Sequence, residues 1–426
     1  MVNRGLQAFS GKRVLLLQGP VGPFFARLAR DLRNVHAQVF KVNLNAGDWF
    51  FYPRGAFNYC GTMEDWPAWI AGLMNRLQIE VVLLFGDCRP VHHAALEVAR
   101  QNGLEIGVFE EGYVRPDYVT LERFGVNANS QLPRCPEYYQ EEHLQIPVRR
   151  AVGNTYWAMA WYAFWYFLAG SLGKLWFRHY RHHRPLTLSE ALPWTRSVWR
   201  KYWYRWAERG VQQELTTDWK DRYFLVPLQV FNDGQIIRHA DFNGIEHFIE
   251  TTLNSFARHA PKKTLLVFKH HPMDRGYRDY SSFIRCRAEQ AKIGKRVLYI
   301  HDQHLPALLS HARGVAVVNS SVGFSALNYG KPTIACGSAL YDIPGLTYQG
   351  GLDAFWKVAQ KVKPDMDLCQ RFRICIIATT QLNGSFYKPL KLPGSFSGLV
   401  WSSPAEPGMQ DTGPAHPAGS AAFPAT

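Results

Sequence analysis

The chain has 426 residues, 47% of them hydrophobic, and is therefore long enough for two ordinary domains that each bury a core. Its 48 Lys and Arg residues exceed its 34 Asp and Glu residues, and the resulting net charge of +14 favours an anionic partner. Nucleic acid is disfavoured, because no helix-turn-helix, zinc-finger or RNA-recognition signature is present. The seven cysteines form no CxxC pair, which argues against a disulfide framework or a zinc site and favours a reducing compartment.

The first part of the chain, residues 10–145, alternates short apolar runs with helical patterns. Strands are predicted at residues 13–17, 38–44, 81–85 and 106–109. Such alternation is typical of a mostly parallel sheet that is covered on both faces. We therefore expect an N-terminal Rossmann-like domain.

The same alternation returns over residues 216–380. Strands are predicted at residues 223–230, 264–268, 296–300, 314–318 and 333–336. The sequence thus predicts an α/β fold with two Rossmann-like domains. Because ligands of open α/β sheets bind beyond the carboxyl ends of the strands, the residues that follow these runs are the candidates for a site.

Residues 146–215 differ in composition from both halves. Residues 151–173 carry no charge, are dense in Trp, Tyr and Phe, and are followed by the basic residues Lys174, Arg178, Arg181 and Arg184. A second stretch, RSVWRKYWYRWAERG, mixes aromatic and basic residues at helical spacing. This pattern favours helices at a membrane interface. A membrane span, which the length just permits, and a buried helix at the domain junction are the alternatives.

The composition of the two ends of the chain predicts their roles. The first residues pass directly into a strand-like run without a secretion-type apolar stretch, so we expect a protein that is not secreted. Residues 384–426 are rich in Gly, Pro, Ser and Ala, which predicts a disordered tail without a catalytic role.

Two candidate motifs lie in the first half. Gly19 and Gly22 belong to a turn after the first strand, where backbone N–H groups can face an anion, although the pattern favours a purely structural turn. Glu110, Glu111 and Gly112 follow a strand, with Arg115 close by. A glycine lets the backbone turn sharply there, so that one of the two carboxylates can point into a cleft.

The second half has its own strand-end motifs. Lys269, His271 and Pro272 follow one strand, and a histidine held by a following proline can donate to a phosphate. A metal site is disfavoured because Asp274 is the sole further ligand candidate nearby. Gln229, which follows another strand, is a candidate polar contact to a substrate. The last motif consists of Asn319, Ser320, Ser321 and Gly323. It lies where a strand ends and a helix begins, and the N–H groups and dipole at a helix N-terminus can bind an anion.

Together, the stretches EEGYVRPDYVTLE and NSSVGFSALNYGKPTI and the His-Pro pair resemble the bacterial capsule polysaccharide biosynthesis family, in particular its KpsS/LipB-type transferases of 3-deoxy-manno-octulosonic acid (Kdo). The acidic, His-Pro and Ser-Ser series is also similar to that of bacterial CMP-sialic acid transferases. The resemblance covers about residues 10–380. It implies a GT-B-like fold, with two Rossmann-like domains facing a central cleft.

The resemblance also implies an activity and a location. The donor would be CMP-Kdo, the acceptor lysophosphatidylglycerol, and the product the first β-Kdo of a capsule linker, made without a metal or another cofactor. We expect a cytoplasmic protein that is peripheral on the inner face of the inner membrane. A second capsule Kdo transferase and the capsule export complex are further expected partners.

The implied residue roles follow the motifs. Glu111 would be the reacting carboxylate with Glu110 in support, acting as nucleophile if the reaction retains configuration and as general base if it inverts. His271 and the serines Ser320 and Ser321 would hold the CMP phosphate. Two alternatives stay open: a transferase for CMP-sialic acid or another acidic sugar, and a non-catalytic component of capsule export.

Overall fold

Two β-sheets organise the chain in the computed structural model, which describes residues 5–140, 146, 148–180, 191–231 and 242–401. The first sheet has seven strands and the second has five. Each sheet contains four- or five-residue strands in which most side chains are apolar and buried, as expected for parallel strands covered on both faces.

The N-terminal sheet has the strand order β12-β6-β5-β4-β1-β2-β3. Strands β1 to β5 pair in parallel, whereas β6 runs antiparallel to β5 and β12 antiparallel to β6. The strands are β1 Arg13–Leu16, β2 Gln38–Asn43, β3 Phe57–Asn58, β4 Val81–Phe85, β5 Glu105–Glu111, β6 Tyr118–Arg123 and β12 Gln381–Asn383. The helices of this half are α1 Phe24–Asn34, α2 Ala46–Phe51, α3 Trp66–Leu77 and α4 Pro90–Gln101.

The C-terminal sheet is entirely parallel and has the order β11-β10-β7-β8-β9. Its strands are β7 Tyr223–Pro227, β8 Leu265–Lys269, β9 Val297–Ile300, β10 Gly314–Val317 and β11 Thr333–Ala335. Its helices are α8 Ile245–His259, α9 Ser281–Gln290, α10 Leu305–His311, α11 Ser321–Asn328, α12 Leu352–Val358 and α13 Met366–Thr380. The expected α/β architecture with two Rossmann-like halves is confirmed, and each of the nine predicted strands is present.

The two halves share a hydrophobic core. Tyr113, Tyr118 and Tyr139 from the N-terminal half pack in one buried cluster with Val315 and Phe372 from the C-terminal half. Helix α13 then returns the chain from the second half to β12 at the edge of the first sheet. The halves are therefore held together beside the loop that follows β5.

The prediction of a disordered tail from residue 384 is wrong for residues 384–401. Phe386 and Leu399 are buried in the core of the N-terminal half. The buried carboxylate of Asp31 accepts hydrogen bonds from the backbone N–H groups of Phe396 (2.5 Å) and Ser397 (2.9 Å). A composition rich in glycine and proline is typical of disorder. A few apolar side chains and one buried carboxylate nevertheless anchor this segment, and such contacts cannot be predicted from composition. Residues 402–426 lie outside the described part.

In the segment between the halves, the described residues form the α-helices α5 Tyr156–Leu172, α6 Ala191–Ala207 and α7 Val211–Thr216. Helix α5 packs on α2 through the buried Tyr166 but leaves Trp157 and Trp161 exposed, the former by 78%. This exposure contradicts the alternative of a wholly buried helix. Within the described ranges, no helix combines the length and the apolarity that crossing a membrane requires. Arg181 and Arg184 lie outside the described residues.

Helix α6 has two different faces. One face contacts the C-terminal half: Arg200 Nη1 donates to the Arg275 carbonyl (2.8 Å), and Tyr204, one turn later, stacks on His301. Glu208, directly after the end of the helix, bonds to the same histidine (2.5 Å). The opposite face exposes a stripe of aromatic rings: Trp199, Tyr202, Trp203 and Trp206. The helix is thus attached through polar groups and presents its apolar side to the surroundings.

Candidate functional site

The acidic pair lies at the end of β5, and its two carboxylates have different surroundings. Glu110 Oε1 accepts the backbone N–H of Glu111 (3.0 Å). Burial raises the pKa of Glu110 to about 7, against the lowering effects of that hydrogen bond and of Arg89. Glu111 instead accepts a hydrogen bond from the hydroxyl of Tyr387 (3.0 Å). One carboxyl group therefore holds a proton near neutral pH.

The loop after β4 approaches Glu110. Gly86 has a φ of +71°, and a Cβ there would lie 3.6 Å from Glu110 Oε2 and 3.9 Å from Arg89 Nε. His92 fixes this loop through its Nδ1, which lies 2.6 Å from the Gly86 carbonyl. Burial lowers the pKa of His92 to about 3, so the ring is neutral and can donate this hydrogen bond.

Tyr113 connects the acidic motif to the C-terminal half. Its hydroxyl donates to Glu122 Oε1 (2.5 Å) and accepts the N–H of Asn127 (2.6 Å), while its own N–H donates to Gln381 Oε1 (3.0 Å). Gly112 is required sterically, because a Cβ there would lie 2.1 Å from the Tyr118 carbonyl oxygen. The backbone after the acidic pair is thus fixed from three sides.

The predicted glycine turn lines a different cavity. Gly19 and Gly22 lie beside the buried Lys41 and Asp48 and under helix α5, where a Cβ on Gly22 would lie 2.8 Å from Tyr162. Burial lowers the pKa of Lys41 to about 8. The structure therefore groups Gly19 and Gly22 with α5, apart from the motifs of the C-terminal half.

In the C-terminal half, the motif residues lie at the carboxyl ends of adjacent strands. Gln229 after β7 donates through Nε2 to Asn319 Oδ1 after β10 (3.0 Å). The Oγ of Ser320 accepts the N–H of Val322 (3.2 Å) and caps α11. Gly323 fits only without a Cβ, which would lie 2.2 Å from the hydroxyl of Tyr341. These residues form one rigid edge with Ser321.

The basic motif after β8 divides into an inner and an outer part. Lys269 is buried and its ammonium donates to the His301 carbonyl (3.0 Å), and burial lowers its pKa. His271 is partly exposed, and its Nδ1 accepts the N–H of Met273 (3.2 Å) at the short turn that begins with Pro272. His271, rather than the buried Lys269, is therefore the partly exposed member of this motif.

The two halves meet where these motifs lie. Tyr113 and Asn127 from the first half and Asn319 and Ser321 from the second line one small cavity of about 10 Å³, room for about one water molecule. Arg115 lies on the same loop, where its Nε donates to the Gly112 carbonyl (3.3 Å). Tyr113, which follows the acidic pair and Gly112, thus meets the serine motif at one junction.

Similarity to known proteins identifies the family. A sequence model of the family described as "Capsule polysaccharide biosynthesis protein" matches residues 80–387. The chain belongs to the capsule polysaccharide biosynthesis family. It is 41% identical to the capsule polysaccharide export protein KpsS of Escherichia coli, over 89% of this chain and 97% of that protein. It is 37% identical to the capsule polysaccharide modification protein LipB of Neisseria meningitidis serogroup B, over 90% and 94%.

Solved structures add little to the family assignment. Anabaena Alr3699/HepE, crystallised with UDP-glucose, covers 86% of this chain and 97% of its own, at 10% identity and a TM-score of 0.35. A score of this size supports no comparison of sites.

Several site residues of this family member escaped the sequence analysis. Arg89 and Tyr387 contact or face the acidic pair, and His270 and His301 lie beside Lys269. Tyr387 lies 276 residues from Glu111 in sequence. His270 itself lies within the motif predicted after β8, whereas its contact with His301 joins two separate strands and is not visible in the sequence. Among the described residues, no cluster of three His, Cys, Asp or Glu side chains could hold a metal ion.

Glu110→Gln should change how stability depends on pH. The folded protein keeps the Glu110 proton up to about pH 7, whereas the unfolded chain loses it near the ordinary pKa of 4.5. The wild type should therefore lose stability relative to Glu110→Gln as pH rises through this window, by up to about 3 kcal/mol. Denaturant unfolding at several pH values measures the difference.

The titration of Glu122 does not affect this comparison. Burial also raises its pKa to about 7, but it is present in both proteins and its titration cancels in the difference. A difference in unfolding free energy that is constant from pH 4.5 to 7 would contradict the assignment of a raised pKa to Glu110.

Proposed function

We propose that this protein transfers Kdo from CMP-Kdo to a lysophosphatidylglycerol acceptor with retention of configuration, and so begins the linker of a capsule polysaccharide. The observation that carries the proposal is the junction at which the acidic motif, through Tyr113, meets Asn319 and Ser321. Membership of the capsule polysaccharide biosynthesis family supplies the biological context. Donor and acceptor come from the resemblance of the motifs to KpsS/LipB-type transferases.

The donor would bind at the carboxyl ends of β8 and β10. His271 and the N-terminus of α11, with Ser320 and Ser321, offer hydrogen-bond donors to a phosphate, and the helix dipole favours negative charge there. The cavity at the junction, with room for about one water molecule, is too small to hold the donor itself. Hydrogen bonds to the departing phosphate would then stabilise the leaving CMP.

The reaction would take two displacements. Glu111 attacks the anomeric carbon of Kdo, the bond to the CMP phosphate oxygen breaks, and CMP leaves with that electron pair. The acceptor hydroxyl then attacks the same carbon, releases Glu111 and passes its proton to Glu110. A pKa of about 7 suits Glu110 to this role of general base. Two inversions give net retention.

A lipid acceptor would require the protein to act at a membrane surface. The aromatic stripe of α6, formed by Trp199, Tyr202, Trp203 and Trp206, is exposed, and the helix also carries Arg196, Lys201 and Arg205. Aromatic rings suit the headgroup region, and basic side chains are attracted to anionic lipids. We propose peripheral binding through this face and the exposed rings of α5.

A second candidate function is favoured by the name of one relative. The Escherichia coli relative is described as an export protein, which fits a non-catalytic component that uses this fold for docking. A transferase for CMP-sialic acid is a further possibility, in which Glu111 would act as base and the configuration would invert.

One assay separates these functions. Purified protein is incubated with lysophosphatidylglycerol and either CMP-Kdo or CMP-sialic acid, while CMP release and lipid mass are followed. We expect CMP release with CMP-Kdo and a lipid product heavier by one Kdo residue. Transfer from CMP-sialic acid alone would replace the proposed donor, and the absence of transfer from both donors would favour the export role.

Single substitutions should separate chemistry from binding. Glu111→Gln should abolish transfer but leave CMP affinity within about twofold, because no covalent intermediate can form. His271→Ala should weaken CMP binding by about 10- to 100-fold, the loss expected for one hydrogen bond to a charged group. Isothermal titration with CMP and the transfer assay measure the two effects.

A histidine remote from the motifs serves as the control. His259 ends α8, before the chain enters β8, and pairs with Asp353 (3.2 Å). His259→Ala should bind CMP like the wild type. Equal transfer by wild type and Glu111→Gln would refute the role of Glu111, and unchanged CMP affinity in His271→Ala would refute the phosphate contact.

Membrane binding is tested on α6. Replacing Trp199, Trp203 and Trp206 by Ser should reduce co-sedimentation with phosphatidylglycerol vesicles by about tenfold or more, because buried apolar area at the interface is lost. CMP binding should persist. Tyr329→Ser, an exposed aromatic of the C-terminal half, is the control and should sediment like the wild type. Undiminished sedimentation of the triple variant would refute binding through this face.

A further inference from the structure

An apolar pocket of about 490 Å³ lies between α2 and the end of α5, in the N-terminal half. Its volume lies within the range of about 300–1,000 Å³ that is usual for small-molecule sites. The residues that shape it are mostly large and apolar: Trp49, Phe50, Trp165, Leu168, Leu172 and Trp176. Several of these side chains are also exposed at its rim, so the pocket opens to the surroundings.

Close packing fixes the walls of this pocket. A Cβ on Gly47 would lie 2.8 Å from Tyr166, and a Cβ on Gly173 would lie 2.2 Å from Ala46, so α5 and α2 touch with almost no space between them. The rings of Phe50 and Trp165 stack at 5.7 Å with an interplanar angle of 7°. The pocket is therefore preformed, and a ligand need not order its walls.

Charged and polar residues lie near the pocket, both at the protein surface and in the interior. Lys174 and Arg178 are exposed and are neighbours in sequence of Gly173 and Phe177, which line the pocket. On the inner side, Asp48 of α2 bonds to Gln18 (3.1 Å), and Gln18 accepts from Arg89 (2.7 Å), which faces Glu110. A chain of contacts thus leads from the apolar pocket to the acidic pair.

We propose that this pocket holds the single acyl chain of an anionic lysophospholipid acceptor. The inference rests on the proposed function, because a lipid acceptor is what brings an acyl chain to this half of the protein. A methylene chain needs no hydrogen-bond partner from an apolar wall, whereas a peptide would leave its polar backbone groups unpaired there. The cations Lys174 and Arg178 complement the charge of a phosphate headgroup.

Crosslinking locates the chain directly. Lysophosphatidylglycerol with a photoactivatable group near the end of its chain is bound to the full-length protein below its micelle concentration, and the modified peptides are identified by mass spectrometry. We expect modification of residues in α2 and in the stretch from Trp165 to Phe177. Modification confined to α6 or to other surfaces would overturn the proposal.

Chain length and pocket filling give a second, independent test. Affinity of the wild type should rise about fourfold per added methylene and then level off when the pocket is full. Ala169→Trp, which fills the pocket, should weaken binding of the long-chain lipid at least about tenfold and leave competition by glycerophosphoglycerol unchanged. Ala160→Trp, the same change on α5 outside the lining, should bind the lipid like the wild type.

The outcomes distinguish the pocket from the reaction. Affinity that keeps rising with chain length, or equal losses in Ala169→Trp and Ala160→Trp, would indicate adsorption to the surface and overturn the proposal. Crosslinks within the pocket without transfer from any CMP-sugar would support the pocket and refute the proposed reaction.

Discussion

The arrangement of the site depends on Tyr113. This residue directly follows the acidic pair and Gly112, and its ring is buried in the cluster that joins the two halves. Its hydroxyl lies between Glu122 and Asn127, at 2.5 and 2.6 Å, so the polar end of the ring is paired at both its donor and its acceptor positions. The backbone that carries the carboxylates is thereby fixed against the half that carries the serine motif.

The helical segment between the halves both attaches to the C-terminal half and exposes aromatic rings. Helix α6 contacts the C-terminal half through a polar face, where Tyr204 stacks on His301 at 3.5 Å and Glu208 bonds to the same ring. Its aromatic face is left exposed. A globular protein ordinarily buries such a face, so the exposed aromatic rings of α6 favour contact with an apolar environment outside the protein. Helix α5 adds exposed rings and one wall of the apolar pocket.

The sequence predicted the fold where local pattern is enough. Strands such as β4 and β8 are nearly uninterrupted apolar runs, which a pattern of hydrophobic residues is enough to detect. The motif that contains His271 follows β8 directly. β6 was missed because the buried Glu122 interrupts its apolar pattern, and the three-residue β12 has no apolar run. The contact of Tyr387 with Glu111 joins positions far apart in sequence, which periodicity cannot reveal. Burial, which raises the pKa of Glu110, is likewise set by tertiary packing.

A structure of the complex with CMP would show whether both halves contribute to one nucleotide-sugar site. We expect the phosphate of CMP at the carboxyl ends of β8 and β10, within hydrogen-bond distance of His271 and of Ser320 or Ser321, with Glu111 across the junction. A phosphate bound instead at the turn of Gly19, beside Lys41, would contradict this expectation.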